Sequence, residues 1–267
     1  MISARSVWED IVKIRERSPL VHNITNFVVM NNTANALLAL GASPVMAHAD
    51  EEVEEMVGNC AALVINIGTL SAAWVGAMEK AMLRARERGV PVVLDPVGVG
   101  ATGYRSRTAG GLLGTAAVRI IRGNASEISA LVSSGTKMKG VDSSVSSDSA
   151  SGFAHTLSGM YGCVVSLSGE TDYIVQGDRR VCIRNGHPMM PRVTGLGCSA
   201  SALSAAFAAV NEDAFAAAAH AMAVMGIAGE LAAREAKGPG SFQVHFLDAL
   251  YGLRVEDIEN LLRIDEN

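Results

Sequence analysis

The stretch ALVINIGTLSAAWVGAMEKAMLRARERGVPVVLDPV, residues 62–97, has the pattern of a β-strand, an α-helix and a second β-strand. Its ends, at 62–68 and 91–97, are short apolar runs rich in β-branched residues, typical of strands buried on both faces of a parallel sheet. The residues between them have helical periodicity from Ser71, a good N-cap, to the terminal Gly89. This stretch therefore predicts a βαβ unit.

Similar apolar runs and helical patterns alternate on both sides of this unit. Strands are predicted at 43–47, 117–123 and 163–169, and helices at about 26–40, 50–57, 124–133 and 147–161. After residue 170, two alternating segments around Gly177 predict an antiparallel hairpin at a sheet edge, and Cys198–Leu262 is helical in pattern. We therefore predict an α/β fold with a largely parallel central sheet and helices on both faces.

Composition fits one large α/β domain spanning 1–267. Of the 267 residues, 49% are hydrophobic and 18% are charged, which is enough to bury a sizeable core. Aromatic residues are only 4%, so small side chains should let the helices lie close to the sheet. The serine-rich stretch 143–149 is too short to mark a domain boundary.

Charge and cysteine pattern exclude several classes of function. The formal net charge is −5 and no Lys/Arg cluster occurs, so we expect no nucleic-acid partner. The four cysteines show neither CxxC pairing nor metal-site spacing, and the first residues form an amphipathic pattern rather than an apolar signal core. No apolar run reaches the roughly 18 residues of a membrane span, so we expect a cytoplasmic protein without membrane contact.

The glycine motif GVGATG at 98–103 follows a predicted strand but fits dinucleotide binding poorly. That fingerprint needs a helix that opens inside the glycines and an acidic residue about 20 positions on, whereas Arg119 and Arg122 occupy this neighbourhood. The motif could instead form a loop after Asp95 that faces phosphate or substrate. No GxxxxGK[ST] motif exists, so a kinase would need another phosphate cradle.

The segment VTGLGCSASALSAAFAAV, at 193–210, is the strongest candidate for that cradle. Gly195 and Gly197 precede a long helical pattern, where free N–H groups and the helix dipole favour a phosphoryl group. The alternative is an ordinary helix start. At the same junction the dipole is expected to lower the pKa of Cys198 and favour a thiolate, although free cysteine is commonly a small buried residue.

Two carboxylates stand where predicted strands end. Asp95 ends PVVLD at the carboxyl edge of the sheet, where open α/β sheets bind ligands; an Asp-Pro turn is the alternative. In IRGNASEI, Asn124 and Glu127 have the spacing of a capping box. With Arg122 beside it, the carboxylate of Glu127 could hold Mg²⁺ through water.

The segment VHNITNFVVMNNTAN, at 21–35, carries five asparagines in an otherwise apolar context. Asparagine has low helix propensity, so some of these amides should meet a ligand or a neighbouring subunit. Capping and solvation are the alternative and could explain about half of them. Within this segment we predict that Asn26 and Thr33 bind substrate.

Eight motifs together resemble the hydroxyethylthiazole kinase family, from about residue 20 to 250. They stand in the family's order and at compatible spacing: VHNITNFV, ALGASPVM, INIGTL, LDPVGVGAT, IRGNASEI, SGETDYI, VTGLGC and KGPGSF. The resemblance implies a ribokinase-like three-layer fold and transfer of the ATP γ-phosphate to the hydroxyethyl group of 4-methyl-5-(2-hydroxyethyl)thiazole, in thiamine biosynthesis or salvage. It further implies Mg²⁺ and a homotrimer with sites between subunits.

The resemblance also implies roles for single residues. The catalytic phosphate loop would contain Gly195, Gly197 and Cys198, and the substrate site would contain Met46 and Gly195. The ATP site would contain Arg122, Ser168 and Asn124. The metal-water cluster would contain Asp95, Asn124 and Glu127. Ribokinase-like enzymes generally carry an aspartate base where this chain, like the family, has Cys198. The cysteine could thus act as a base or only position the loop.

The departures from the family pattern are small, and other functions stay open. Leu196 stands where a smaller residue is more usual, and Ser168 where threonine also occurs. The same fold could serve a hydroxymethylpyrimidine kinase or an ATP-dependent NAD(P)H-hydrate dehydratase. A non-catalytic ligand-binding protein is a further alternative.

Overall fold

The computed structural model describes residues 2–116, 118–135 and 147–266. Within these ranges nine strands form one sheet in the order β2-β1-β3-β4-β5-β6-β7-β8-β9. Neighbouring strands from β2 to β6 pair in parallel, and β7, β8 and β9 continue the sheet antiparallel. The strands are β1 Leu20–Ile24, β2 Ser43–Val45, β3 Ala62–Asn66, β4 Val92–Asp95, β5 Ile120–Asn124, β6 Val164–Ser168, β7 Asp172–Gln176, β8 Arg179–Ile183 and β9 Ile264–Glu266.

Eleven α-helices are described, together with a 3₁₀ turn at Met190–Arg192. The helices are α1 Ala4–Arg17, α2 Met30–Leu40, α3 Val53–Asn59, α4 Ala72–Arg88, α5 Gly103–Thr115, α6 Ala125–Gly135, α7 Ser147–Tyr161, α8 Leu196–Ala208, α9 Ala214–Glu235, α10 Pro239–Gly252 and α11 Val255–Leu261. Ser71 accepts a hydrogen bond from the Trp74 amide and Gly89 ends α4 at φ +68°, as their residue types predict.

The sheet separates two apolar cores. Alternate side chains such as Val64 and Val93 face α1, α2 and α8–α11, whereas Leu63 and Leu94 face α3–α7. Strand residues alternate between faces with period two, so a parallel sheet needs apolar side chains at every position when both faces are covered. The predicted α/β arrangement with helices on both faces is confirmed.

The helix α9 is long and apolar enough to cross a bilayer by length and composition. In this helix, 83% of the most apolar 18-residue window is buried inside the protein. Its apolar side chains therefore pack against the sheet and the neighbouring helices. The prediction that no apolar run reaches the length of a membrane span is wrong for this helix by length and composition. The polar positions that interrupt it, such as His220, are themselves buried.

Several elements differ from the sequence-based prediction. Strand β1 and helix α5 were not predicted, and the helix predicted at 26–40 begins only at Met30 because residues 25–29 form the turn after β1. The short strand β9 was also missed. The antiparallel hairpin of β7 and β8 is confirmed, but its predicted position at the sheet edge is wrong, because β9 pairs with β8 and forms the edge. Residues 143–146 of the serine-rich stretch lie outside the described ranges.

A buried polar cluster attaches α1 to the rest of the protein. Asp10 is 2% exposed and accepts hydrogen bonds from His220 Nδ1 at 2.7 Å and from Asn211 Nδ2 at 2.5 Å. Lys13 Nζ lies 2.7 Å from its other oxygen. Burial acts to raise the pKa of Asp10, but the hydrogen bonds from His220, Lys13 and Asn211 hold it below its ordinary value.

All four cysteines are free thiols. Burial raises the pKa of Cys60 to about 11 and that of Cys163 to about 12. Cys182 is buried in β8, and Cys198 is partly exposed at the start of α8. No disulfide contributes to the stability of the fold.

Candidate active site

A polar cluster lies where β3 and β4 end at the carboxyl edge of the sheet. Asp95, the last residue of β4, is 1% exposed. Its Oδ2 accepts hydrogen bonds from Asn66 Nδ2 and from Ser201 Oγ, each at 2.8 Å. Burial raises the pKa of Asp95 to about 6, whereas the charge of Arg122 and these hydrogen bonds oppose the rise.

Asn66 connects three elements in this cluster. It ends β3 and pairs with Asp95 in the β3–β4 register. Its Oδ1 accepts hydrogen bonds from Asn26 Nδ2 at 2.8 Å and from the Gly68 amide at 2.9 Å. Asn26 Nδ2 also lies 3.5 Å from Cys198 Sγ, in hydrogen-bonding geometry. The cluster thus joins the ends of β3 and β4, the turn after β1 and the first turn of α8.

Neither Asn66 nor Ser201 is among the residues predicted from the sequence to form the site. Asn66 closes an apolar strand at the carboxyl edge as Asp95 does, and that position was the available signal. Ser201 lies one helical turn after Cys198, a spacing that places both on one side of α8. Serine in a small-residue helix gives no sign of a carboxylate partner 106 positions away.

The predicted thiolate at Cys198 is wrong. Burial and the nearby charge of Asp95 raise its pKa to about 11, and the hydrogen bonds of Asn66 and Asn26 and the charge of Arg122 only oppose this in part. The helix N-terminus was expected to lower the pKa, but the cost of an ionised thiol in a buried site beside a carboxylate is larger. Cys198 is therefore a neutral thiol at neutral pH.

The turn before α8 brings its backbone close to a guanidinium group. Gly195 is the N-cap of α8 at φ +86°, a region that favours glycine. A Cβ at Gly197 would stand 2.9 Å from Arg122 Nη1, so only hydrogen fits there without displacing Arg122. The free N–H groups of this turn and the guanidinium lie side by side, as anion-binding sites require.

Arg122 has hydrogen-bonding capacity left over. Its Nη2 donates to Ser168 Oγ at 2.9 Å, which links β5 to the end of β6. Its Nε is buried and has no partner in the described part of the chain. A buried donor without a partner is costly unless a ligand supplies the acceptor. A phosphate oxygen beside the α8 turn would be such an acceptor.

Asn124 and Glu127 form the capping box that their spacing predicts. The Glu127 amide donates to Asn124 Oδ1 at 3.0 Å, and the Asn124 amide donates to Glu127 Oε2 at 2.9 Å. Glu127 Oε1 accepts from the Gly98 amide at 2.9 Å, which fixes the loop after β4. Glu127 thus has a structural role whatever else it binds. Among the described residues no three His, Cys, Asp or Glu side chains are placed to hold a metal directly.

The remaining predicted residues lie in different surroundings. Met46 follows β2 and is half-buried. Thr33 is 1% exposed in the first turn of α2, and its hydroxyl has no hydrogen-bond partner in the described ranges. The structure brings Asn26 into the cluster with Cys198, and it gives Thr33 no side-chain hydrogen bond to that cluster.

Two exposed apolar side chains, Phe27 and Val28, border the site. Phe27, directly after Asn26, is 68% exposed and its ring centroid lies 4.7 Å from that of Trp74. His48 lies against the same indole at 4.5 Å, and Val28 is 61% exposed. Large apolar side chains that cluster on a surface mark interaction sites more often than single ones do.

A family model describes nearly the whole chain. The model of the hydroxyethylthiazole kinase family matches residues 11–256. The chain belongs to the hydroxyethylthiazole kinase family. The resemblance inferred from the eight motifs is thereby confirmed.

Individual members of the hydroxyethylthiazole kinase family align over almost their full length. A hydroxyethylthiazole kinase of Syntrophus aciditrophicus is 62% identical over 98% of both chains, and one of Leptospira biflexa is 58% identical over 97% of both. The solved structure of a hydroxyethylthiazole kinase protein from Pyrococcus horikoshii is 45% identical, with a TM-score of 0.91 over 98% of this chain and 99% of that one.

More distant structures share the fold alone. A pyridoxal kinase from Staphylococcus aureus superimposes with a TM-score of 0.63 at 14% identity, covering 80% of this chain and 88% of that one. A ribokinase-like superfamily protein from Enterococcus faecalis gives 0.66 at 12% identity, covering 96% and 95%. The predicted ribokinase-like fold is therefore confirmed.

Proposed function

We propose that this protein transfers the γ-phosphoryl group of ATP to the hydroxyethyl oxygen of 4-methyl-5-(2-hydroxyethyl)thiazole, a step of thiamine biosynthesis or salvage. The observation that carries the proposal is its 62% identity, over 98% of both chains, with a protein named hydroxyethylthiazole kinase. The geometry supports a phosphoryl transfer, because a helix N-terminus and a guanidinium with a free buried donor lie beside a cluster suited to an alcohol.

Phosphate would be held at the start of α8. The amides from Gly195 to Cys198 and the guanidinium of Arg122 supply donors for the moving phosphoryl group and the ATP phosphates. Ser168 keeps Arg122 in place, and Asn124 lies at the end of β5 beside them. Fixed donors of this kind stabilise charge that spreads over the phosphoryl oxygens in a loose transition state.

The alcohol would lie next to Asn26, Asp95 and Cys198, with Met46 against the thiazole ring. A thiol with a pKa of about 11 holds its proton at neutral pH, so we assign Cys198 to positioning rather than to proton abstraction. Little proton transfer is needed when a loose transition state is reached, so a strong base is not required.

Mg²⁺ fits the carboxylates on this edge of the sheet. Both described hydrogen bonds to Asp95 go to Oδ2, which leaves Oδ1 for water or a cation. Glu127 already accepts two backbone N–H groups, so it would act through water, as magnesium sites commonly allow. Bound with ATP, the ion would neutralise phosphate charge.

We further propose a homotrimer with Phe27 and Val28 at the subunit contact, in the cytoplasm. These side chains are more than half exposed and directly follow Asn26 in the candidate site. Burying them against a second copy would remove the apolar surface and enclose the substrate. Light scattering should give three times the monomer mass, and an active monomer would contradict this.

The test of the activity is direct. The protein is incubated with ATP, Mg²⁺ and the thiazole alcohol, and the product is weighed by mass spectrometry, with EDTA as a control. We expect the phosphate ester and ADP. Turnover of hydroxymethylpyrimidine or of hydrated nicotinamide nucleotide without turnover of the thiazole would identify a different enzyme. Ligand-induced thermal stabilisation without any transfer would indicate a binding protein.

A further inference from the structure

Arg105 ties together the two loops that follow Asn66 and Asp95. It lies in the first turn of α5, where its amide donates to the N-cap Thr102. Its Nη1 donates to the carbonyls of Ile67 and Val97, both at 2.6 Å, and its Nη2 donates to the carbonyl of Gly68 at 2.7 Å. One side chain thus holds the backbone directly after β3 and directly after β4.

The guanidinium of Arg105 is bonded to three main-chain carbonyls rather than to a carboxylate. In the described part of the chain no salt bridge to Arg105 is formed, and the carbonyl dipoles of these two loops face its charge. Such hydrogen bonds from an ionised donor are shorter and stronger than neutral ones. The rigid fork of a guanidinium can reach carbonyls of two loops at once, which the single nitrogen of lysine does not match.

The loop after β4 is held from its other side as well. Glu127 Oε1 accepts a hydrogen bond from the Gly98 amide, and Arg105 donates one to the adjacent Val97 carbonyl. The two side chains thus fix neighbouring backbone groups of this loop. The loop after β3 has further restraints. The Ile67 amide donates to the Asp95 carbonyl at 3.2 Å, the Gly68 amide donates to Asn66 Oδ1 at 2.9 Å, and Thr69 Oγ1 accepts from the Phe27 amide. Among the described side chains outside the cluster, Arg105 is the one that hydrogen-bonds to both loops, so it couples the end of β3 to the end of β4.

We propose that Arg105 is a positioning residue for the phosphoryl transfer, which acts by fixing the ends of β3 and β4 so that Asn66 stays bonded to Asp95 and Asn26. This inference rests on the proposed function. It concerns the alcohol end of the site, because Asn66 contacts Asn26 and Asp95, whereas Arg122 and Ser168 lie at the phosphate end. Displacements of about 1 Å in such a cluster can lower the rate by about a hundredfold.

The experiment compares Arg105→Ala and Arg105→Lys with Arg107→Ala, an exposed arginine of the same helix. We expect kcat/KM for the thiazole to fall by about 30- to 100-fold in both Arg105 variants. KM for ATP should stay within about threefold of the parent, and Arg107→Ala should match the parent. Guanidinium ion at sub-denaturing concentration should restore part of the loss in Arg105→Ala and none in Arg105→Lys, where the amine occupies the space.

A purely structural role predicts a different pattern. It would lower the fraction of active protein, so the KM values for the thiazole and for ATP would both stay at those of the parent. Guanidinium would not restore the lost activity. Either that pattern or an Arg105→Ala variant within twofold of the parent would overturn the proposal. Should Arg105→Ala fail to fold, Arg105→Lys decides the question, because it keeps the charge and the aliphatic stem.

Hydrogen exchange gives a readout independent of turnover. Peptides covering 66–70 and 96–101 should exchange faster in Arg105→Ala and at the parental rate in Arg107→Ala, and unchanged exchange would contradict the inference. Parent protein assayed in parallel separates the two claims. If the parent does not phosphorylate the thiazole, the proposed function fails, and the exchange data still test the role of Arg105.

Discussion

At the residue scale, Cys198 is protonated in this site because burial and Asp95 raise its pKa to about 11. Cys198→Ala should therefore keep kcat within about fivefold of the parent, since removing a positioning contact costs less than removing a base. Loss of a general base commonly lowers the rate by about 10²- to 10⁴-fold. A steady-state assay at saturating substrates distinguishes these ranges, and a loss beyond about a hundredfold would restore the base role.

Gly197 offers a second prediction, because a Cβ there would meet Arg122 Nη1 at 2.9 Å. Gly197→Ala should push the guanidinium away from Ser168 and raise KM for ATP by about tenfold, with KM for the thiazole little changed. Gly110→Ala is the matched control, because a Cβ there meets no atom within 4 Å. Equal KM values for ATP in the two variants would argue against a phosphate-facing Arg122.

Sequence reasoning located part of this cluster and missed the rest for a physical reason. Asp95 could be predicted because a carboxylate that ends an apolar strand at the carboxyl edge is conspicuous. Asn66 stands in an equivalent place, but an amide carries no charge to draw attention. The pKa of Cys198 was wrongly predicted because the helix dipole is a local property, whereas the burial of the thiol and the charge of Asp95 beside it depend on the tertiary fold.

At the element scale, α1 depends on one buried carboxylate for its attachment. Asp10→Asn should lower the free energy of unfolding by about 3 kcal/mol, because it leaves His220 and Lys13 without their charged partner. Glu9→Ala is the control, since its ion pair with Arg5 is exposed and worth less than about 1 kcal/mol. Urea unfolding monitored by circular dichroism gives both values, and equal losses would contradict the role of Asp10.

The same carboxylate predicts a pH dependence. The pKa of Asp10 is below its ordinary value in the folded protein, so its contribution is fully present above the unfolded-state pKa. It is lost as the pH falls through the folded-state pKa. The difference in unfolding free energy between the parent and Asp10→Asn should thus be constant near neutral pH and shrink in acid. A difference that grows in acid would contradict the sign.

Two elements escaped the sequence analysis because tertiary contacts overrule local preference. Strand β1 contains the polar residues His22 and Asn23, which interrupt the apolar run that would predict a buried strand. The strand is nevertheless buried between β2 and β3. Helix α5 contains Gly110, Gly111 and Gly114, which lower helix propensity, yet its apolar side packs into the core on the face of the sheet that α3–α7 cover. In contrast, α4 was predicted correctly because its cap, periodicity and terminal glycine all agree.

At the scale of the whole molecule, the parallel strands bring distant residues to one edge. The layering followed from the apolar runs, but Asn26, Asn66 and Cys198 meet only because β1 lies beside β3 and α8 crosses beneath both. Strand order depends on long-range packing that periodicity does not encode. Which of the conspicuous residues belong to one site is a prediction from the family motifs, because the physical pattern gives no such grouping.

The burial of the thiols has a consequence for the life of the protein under oxidative stress. Peroxide and disulfide reagents attack thiolates, and the raised pKa values of Cys60, Cys163 and Cys198 leave almost none at neutral pH. We expect native protein to react with far less than one equivalent of a disulfide reagent in minutes and with four after unfolding. It should also keep its activity through peroxide exposure that inactivates thiolate-dependent enzymes, without added reductant. Rapid labelling of Cys198 in the native state would show that its thiol ionises readily after all.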